Sequence, residues 1–234
     1  MKKLFALILA LVLLPCAALA ETATDAPAQA EVYVSITDGE GALVLACQPV
    51  IVTDADGDGT LTIHDALAAA HAAHHPEGAA AFATAQTEYG LSMVKLWGVD
   101  NGGSYGYYLN DASAWSLADP VKDGDHVKAY AYTDLIAWSD TYCYFDAPMM
   151  TAAAGEEIPL TLSAAGYDEM WNPVTLPVEG AAITVNGGDA DIMTDAAGRA
   201  VLIFAEPGVY VVSAVSQHQT LVAPVCVITV TEGE

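Results

Sequence analysis

Basic residues are scarce. Six Lys and Arg stand against 30 Asp and Glu in 234 residues, a formal charge of −24. Such a surface repels nucleic acid and anionic lipid, and it suits a cation-rich medium. Cysteine is sparse as well, with four in the chain. The three beyond residue 20, Cys47, Cys143 and Cys226, are an odd set, which excludes a scaffold built on disulfides. Either Cys143 pairs with Cys226, or all are buried free thiols. After residue 20 no apolar run is long enough for a membrane helix.

What stands at the N-terminus explains part of that distribution. Lys2 and Lys3 precede an apolar run from Leu4 to Leu14, then Pro15 and the small-residue site Ala18-Leu19-Ala20. That order predicts a secretory signal over residues 1–20, cleaved before Glu21. Pro15 before Cys16 argues against lipid attachment. Loss of Lys2 and Lys3 takes the formal charge from −24 to −26. The mature chain is therefore expected outside the cell, with no integral membrane segment.

The most specific pattern lies at Thr53 to Leu67, TDADGDGTLTIHDAL. With Asp54 as the first position of a calcium loop, Asp56 and Asp58 fall at the third and fifth, and Gly59 at the sixth. Thr60 offers its carbonyl at the seventh, Thr62 occupies the ninth, and Asp65 closes the twelfth. A hard divalent cation takes about 6–8 oxygen ligands, and without one these carboxylates repel one another. Ca2+ is the expected ion, with Asp54, Asp56, Asp58, Thr60, Thr62 and Asp65 as the ligand set. An EF-hand has a helix on both sides, whereas Ala42 to Val52 is β-branched, contains Pro49 and predicts a strand. Loop followed by helix, closed by Asp, resembles the calcium repeat of dockerin modules. Those carry two repeats and one is present here, so the resemblance implies calcium and not cohesin binding.

Residues 21–30 lack periodicity and predict a flexible leader. Val32, Val34 and Ile36 alternate with polar neighbours, and the turn Asp38-Gly39-Glu40-Gly41 joins them to Ala42–Val52 as a hairpin. A helix from Leu61 to His75 follows, with Ile63, Leu67, Ala70 and His74 on one face, ended by Pro76. The alanine-rich stretch from Glu77 to Thr87 is a short helix or a loop. Leu91 to Val99 then alternates, Asp100 to Gly103 turns the chain, and Tyr105 to Leu109 runs back. A short piece near Trp115 leads to the Lys122–Asp125 turn and the alternating run His126 to Thr133. The pattern is α+β, a curved sheet wrapping one helix.

The run GYYLNDASAWSLADPVKDGDHVKAYAY, Gly106 to Tyr132, with the helix entry LTIHDAL, resembles the C-terminal domain of transcobalamin and its bacterial relatives. The resemblance covers residues 31–134 and implies a β-grasp-like module. There the domain closes over a corrinoid held by a large helical domain. No such helical sequence is found here, so cobalamin is not carried over.

Residues 135–153, with LIAWSDTYCYFDAPMM, are expected to form a junction. From Ala154 to Glu234 the strand-like runs Ile158–Leu162, Ala182–Val185, Ala200–Phe204, Val209–Ala214 and Leu221–Thr231 predict an all-β sandwich. TDAAGRAVLIFAEPGVYVVSAV, Thr194 to Val215, resembles the core of bacterial Ig-like modules on cell-surface proteins.

Three further patterns carry chemistry. Gly102-Gly103-Ser104-Tyr105-Gly106 satisfies the G-x-S-x-G spacing of a nucleophile elbow, but a strand and not a helix is predicted after it. His64, His71 and His75 share a helical face, and His71 with His75 has the spacing of a transition-metal pair, with no third ligand placed and His75 biased out of the helix by Pro76. His74, on the apolar face, is read as a satisfied boundary residue. Trp97, Tyr105, Tyr107, Tyr108 and Trp115 lie on neighbouring strands. Alternation puts Tyr105 and Tyr107 on one face and Tyr108 on the other, so some pack in the core and exposed ones stack on a sugar or flat ligand. Trp171, in an irregular loop, is placed at the domain junction. The sequence thus predicts a secreted, non-catalytic protein that binds a small-molecule, glycan or protein ligand. The alternative is a structural or adhesion spacer, and the third reading a serine hydrolase using Ser104.

Overall fold

The computed structural model describes residues 28–233. The signal segment and leader residues 21–27 lie outside them. The chain is mostly β, with several sheets and, among the described residues, one α-helix.

The first unit contains β1 (Gln29–Thr37), β2 (Leu43–Thr53), α1 (Ile63–His74) and a 3-10 turn at Gly78–Ala81. β3 (Ala83–Thr87), β4 (Gly90–Lys95), β5 (Tyr105–Leu109), β6 (Ala112–Ser113) and β7 (His126–Ala131) follow. β1 begins at Gln29 with Ala30 buried, so the last leader residues belong to the sheet. β1 and β2 form the expected antiparallel hairpin, with Tyr33 opposite Pro49. Pro49 is tolerated because β2 is an edge strand in the order β2-β1-β7-β5-β6. β7 inserts beside β1 in parallel and pairs with β5 antiparallel.

Helix α1 starts two residues later than its periodicity suggests, at Ile63 and not Leu61, because Thr62 is its N-cap. The Thr62 hydroxyl accepts the Asp65 N–H while the Asp65 carboxylate accepts the Thr62 N–H, a reciprocal capping box. His75, extended before Pro76, ends it. The buried face is Ile63, Ala66, Leu67, Ala70 and His71. His71 therefore replaces His74, which is exposed, as the histidine on the packed face. Ile63 and Leu67 meet Val32, Val34 and Ile36, all fully buried, and each such side chain stabilises by about 1.5–3 kcal/mol.

One strand pairing and one element differ from expectation. β4 pairs with β3 in a separate two-stranded ribbon, so it does not form a hairpin with β5. The stretch Glu77–Thr87 supplies a 3-10 turn and that ribbon's first strand.

The second unit begins inside the expected junction. β8 (Thr141–Phe145) and β9 (Met149–Ala153) are strands, followed by β10 (Glu157–Tyr167), β11 (Pro173–Pro177), β12 (Ala182–Val185), β13 (Gly188–Met193), β14 (Arg199–Ile203), β15 (Gly208–Val215), β16 (Leu221–Val222) and β17 (Cys226–Thr231). One sheet runs β11-β10-β8-β16, with β14 on the first half of β10. The other runs β13-β12-β15-β17-β9. The expected strand Leu221–Thr231 is broken at Ala223-Pro224-Val225, where the chain passes from the first sheet to the second. Phe145, Leu160, Leu162, Ile183 and Ile228 fill a core shared by both sheets.

The two units pack closely. Every residue of β7 is buried: Val127 and Ala129 join the core under α1, while Tyr130 joins a cluster with Tyr142 and Val222 of the second unit. The centre of the first unit's sheet, at β7, is thus covered on both faces. Cys47, Cys143 and Cys226 are free and buried, and burial pushes their thiols up to about 11, 12 and 12.

Candidate functional site

The acidic loop between β2 and α1 is wound around its own carboxylates. Asp54 accepts the N–H groups of Gly57 at 2.7 Å, Asp58 at 3.1 Å and Gly59 at 2.8 Å. The Gly59 N–H in particular holds its carboxyl below the usual range. Gly57 (φ 76) and Gly59 (φ 88) take the left-handed conformations that permit this winding. Oxygens of Asp54, Asp56 and Asp58 lie within 4.8 Å of one another.

Two of the expected ligands have other partners. Asp65 is 1% exposed; Oδ1 accepts the Ala55 N–H at 3.1 Å, and Oδ2 accepts the Thr62 N–H at 3.0 Å and the Thr62 hydroxyl at 2.7 Å. Asp65 and Thr62 thus tie the start of the loop to the helix cap, because the N–H groups of Ala55 and Thr62 occupy the Asp65 oxygens and the Asp65 N–H occupies the Thr62 hydroxyl. Thr60 is exposed, and its N–H donates to Asp58 at 2.7 Å. The converging side chains are the three aspartates alone. They supply hard oxygen donors and the excess negative charge a divalent cation neutralises, so they fit such an ion.

The histidines do not form a metal pair. His71 Nδ1 donates to the Leu67 carbonyl at 2.6 Å, and Nε2 accepts the Trp97 N–H at 2.9 Å, so both ring nitrogens are used. Burial lowers its pKa to about 4 and keeps it neutral. His75 Nδ1 accepts the Glu77 N–H at 3.0 Å.

Ser104 precedes β5, and no helix follows it. Its hydroxyl accepts the indole N–H of Trp138 at 3.3 Å. The G-x-S-x-G spacing therefore marks a glycine-rich loop, since the strained strand-to-helix turn is missing.

The aromatic set does not gather into one platform. Trp97 packs edge-on against His75 at 4.8 Å between ring centroids. Tyr105 and Tyr107 lean on the core under α1, and the Tyr105 hydroxyl donates to the Val94 and Val99 carbonyls. Tyr108 faces the second unit and stacks on Tyr142. Trp115 is 95% exposed. It borders two hollows, one of 290 Å³ beside Tyr105 and Tyr107 and one of 640 Å³ beside Tyr108.

The larger hollow lies between the units. Tyr108, Asp111 and Trp115 form one wall; Tyr144, Tyr167 and Thr175 form the other. A space of this size lined by rings and a few polar groups matches ordinary small-ligand sites, which span about 300–1,000 Å³. Tyr167 also lies 6.1 Å from Trp171 between ring centroids, across a turn in which Asp168 accepts the Met170 and Asn172 N–H groups at 2.8 Å. Tyr144 and Tyr167 escaped the sequence reading. Tyr142 and Tyr144 alternate with Cys143 in TYCYF, which forms β8 inside the stretch expected as a junction.

No protein-family model and no curated protein matches the chain. Among solved structures, it is similar to the N-terminal four Ig domains of Dscam1 isoform 4.44, at 13% identity and a TM-score of 0.25. That match covers 64% of this chain and 32% of the other, and at such a score it carries no argument.

Proposed function

We propose that this is a secreted, non-catalytic binding protein whose ligand occupies the aromatic cleft between its two units. The single observation that carries the reading is the 640 Å³ hollow framed by Tyr108, Trp115, Tyr144 and Tyr167. Ring faces at this density suit a sugar ring or a flat apolar molecule, and the acidic surface disfavours anionic ligands. Secretion rests on the sequence of residues 1–20.

The first unit is proposed to be β-grasp-like and related to the transcobalamin C-terminal domain. Its support is the order β2-β1-β7-β5-β6 with a parallel central pair and one helix across the sheet. The second unit is proposed to be an Ig-like sandwich, supported by its two facing, largely antiparallel sheets. Calcium is proposed at Asp54, Asp56 and Asp58, the dockerin-like loop, where it would remove carboxylate repulsion and stiffen the link from β2 to α1. That role is structural.

A thermal-shift panel of neutral glycans and corrinoids, run with calcium present, tests the cleft. A ligand that raises Tm in the wild type but not in Trp115→Ala supports the reading. An equal shift in both proteins places binding elsewhere. No shift across the panel favours the alternative, a spacer or adhesion module, for which the stacked Tyr108–Tyr142 joint is the supporting observation. The hydrolase alternative draws no support from Ser104, whose hydroxyl partner is an indole.

A further inference from the structure

Lys128 projects from the centre of β7 towards the second unit and is 7% exposed. The chain has only six Lys and Arg, so its burial is a conspicuous use of positive charge. Its partner is Asp111, in the two-residue turn Asn110-Asp111 between β5 and β6, where both residues have positive φ (51 and 64). That turn folds the carboxylate back over the neighbouring strand, and Lys128 Nζ is in direct contact with Asp111 Oδ1.

The ammonium is short of hydrogen-bond acceptors, although two ring faces attract its charge. An ammonium carries three donors, and Asp111 is the one acceptor found for it among the described residues. The flanking groups are ring faces, Tyr142 at 5.8 Å and Tyr144 at 5.9 Å from Nζ to the centroids. The lysine end is the buried one, 8% exposed against 23% for the Asp111 side chain, so the ammonium bears the larger part of the desolvation cost. The Tyr142 hydroxyl, meanwhile, donates to Oδ1 of Asp111 at 2.6 Å, where it would stabilise negative charge building on that oxygen.

From this geometry we infer that Lys128 and Asp111 are joined by an amide bond between Nζ and Cγ, a covalent cross-link between β7 and the β5–β6 turn. The Lys128 ammonium gives one proton to the Asp111 carboxylate, and the neutral amine attacks Cγ. The Tyr142 hydroxyl steadies the oxyanion at Oδ1. A second proton leaves Nζ, and Oδ2 departs as water. One N–C bond forms, one C–O bond breaks, and both charges disappear, with no oxidant or activating group required. One N–H remains on the nitrogen, which ends the shortage of acceptors. Held contact supplies an effective concentration of about 10⁵–10⁸ M, which favours condensation over the same reaction between free groups. The water has an exit, because Asp111 lines the open cleft.

Mass spectrometry of the denatured full chain tests the bond. The wild type should be lighter than its sequence by the mass of one water, and Lys128→Met and Asp111→Ala should each restore the full mass. An N-terminal glutamate can lose the same mass by cyclising, so a tryptic map decides. Cleavage at Lys122 should leave residues 96–122 attached to the following peptide through Asp111 and Lys128, with no cleavage after Lys128. Tyr142→Phe should raise the fraction of uncross-linked chain. A folded wild type at full mass, cleavage after Lys128, or residues 96–122 released as a free peptide would each reduce the contact to a simple ion pair and overturn the inference.

Discussion

The phenol rings of Tyr108 and Tyr142 lie parallel, 3.4 Å between centroids and 2° between planes, one from each unit. Tyr108 belongs to the central sheet of the first unit and Tyr142 to the first strand of the second. The stack couples two cores that otherwise fill separately. Burial pushes the Tyr108 phenol up to about 12, so it remains a neutral ring at physiological pH.

Truncation of this joint should be costly. Tyr142→Ala removes a buried ring and is expected to lower unfolding stability by about 3–5 kcal/mol, the range for large aromatic deletions. Tyr142→Phe keeps the stack, loses the hydrogen bond to Asp111, and should cost about 1–2 kcal/mol. Denaturant titration of both variants checks the ordering.

Chelation should reveal the ion. A calcium chelator is expected to lower Tm of the wild type and leave that of an Asp54→Ala, Asp58→Ala variant nearly unchanged, since only the first protein binds calcium in its folded state. Equal responses would remove the metal assignment from Asp54, Asp56 and Asp58.

Stability should fall with acidification between pH 7 and pH 5. Burial lowers His71 to about 4 and His126 to about 3, against 6.5 for a free imidazole. The unfolded chain therefore takes up protons below 6.5 while the folded chain does not. The stabilising contribution is complete above that value and is lost progressively down to the folded pKa. Between pH 7 and pH 5 each residue withdraws about 2 kcal/mol. Urea unfolding at both pH values measures the total, and His71→Gln should flatten the slope.

Gly106 is closed to any side chain. A Cβ there would sit 2.2 Å from Cζ of Tyr130, its cross-strand partner, which is 3% exposed. Gly106→Ala should destabilise by about 1–3 kcal/mol through displacement of that ring. Trp115→Ala, at an exposed position, should change stability by no more than about 0.5 kcal/mol, which makes it a clean probe of binding. Thermal melts of the two variants side by side test the contrast.

Local rules account for much of what was legible. The β1–β2 hairpin followed from alternation and a glycine turn, and the helix from its apolar spacing and Pro76. Asp54, Asp56 and Asp58 converge because their spacing and Gly59 act within a few residues. Asp65 and Thr62 were legible in position but not in role. A calcium loop and a capping box use the same residues, and only the folded loop reveals which N–H groups those oxygens accept.

The rest depended on contacts distant in sequence. Alternation in His126–Ala131 assigns Lys128 and Tyr130 to the face opposite Val127, yet it cannot say that a second unit covers that face. The same limit hid β8 and β9 in a stretch resembling a linker, and allowed β4 to be paired with β5 when its partner is β3. The cleft exists because Tyr108 and Tyr144, 36 positions apart, meet across two sheets. The sequence alone determined the hairpin, the helix and the acidic loop, since turns and periodicity act over neighbouring residues. Only the tertiary structure decided which faces are buried and which aromatic rings share a cavity, because pairing and packing are settled by chain segments whose local patterns carry no record of one another.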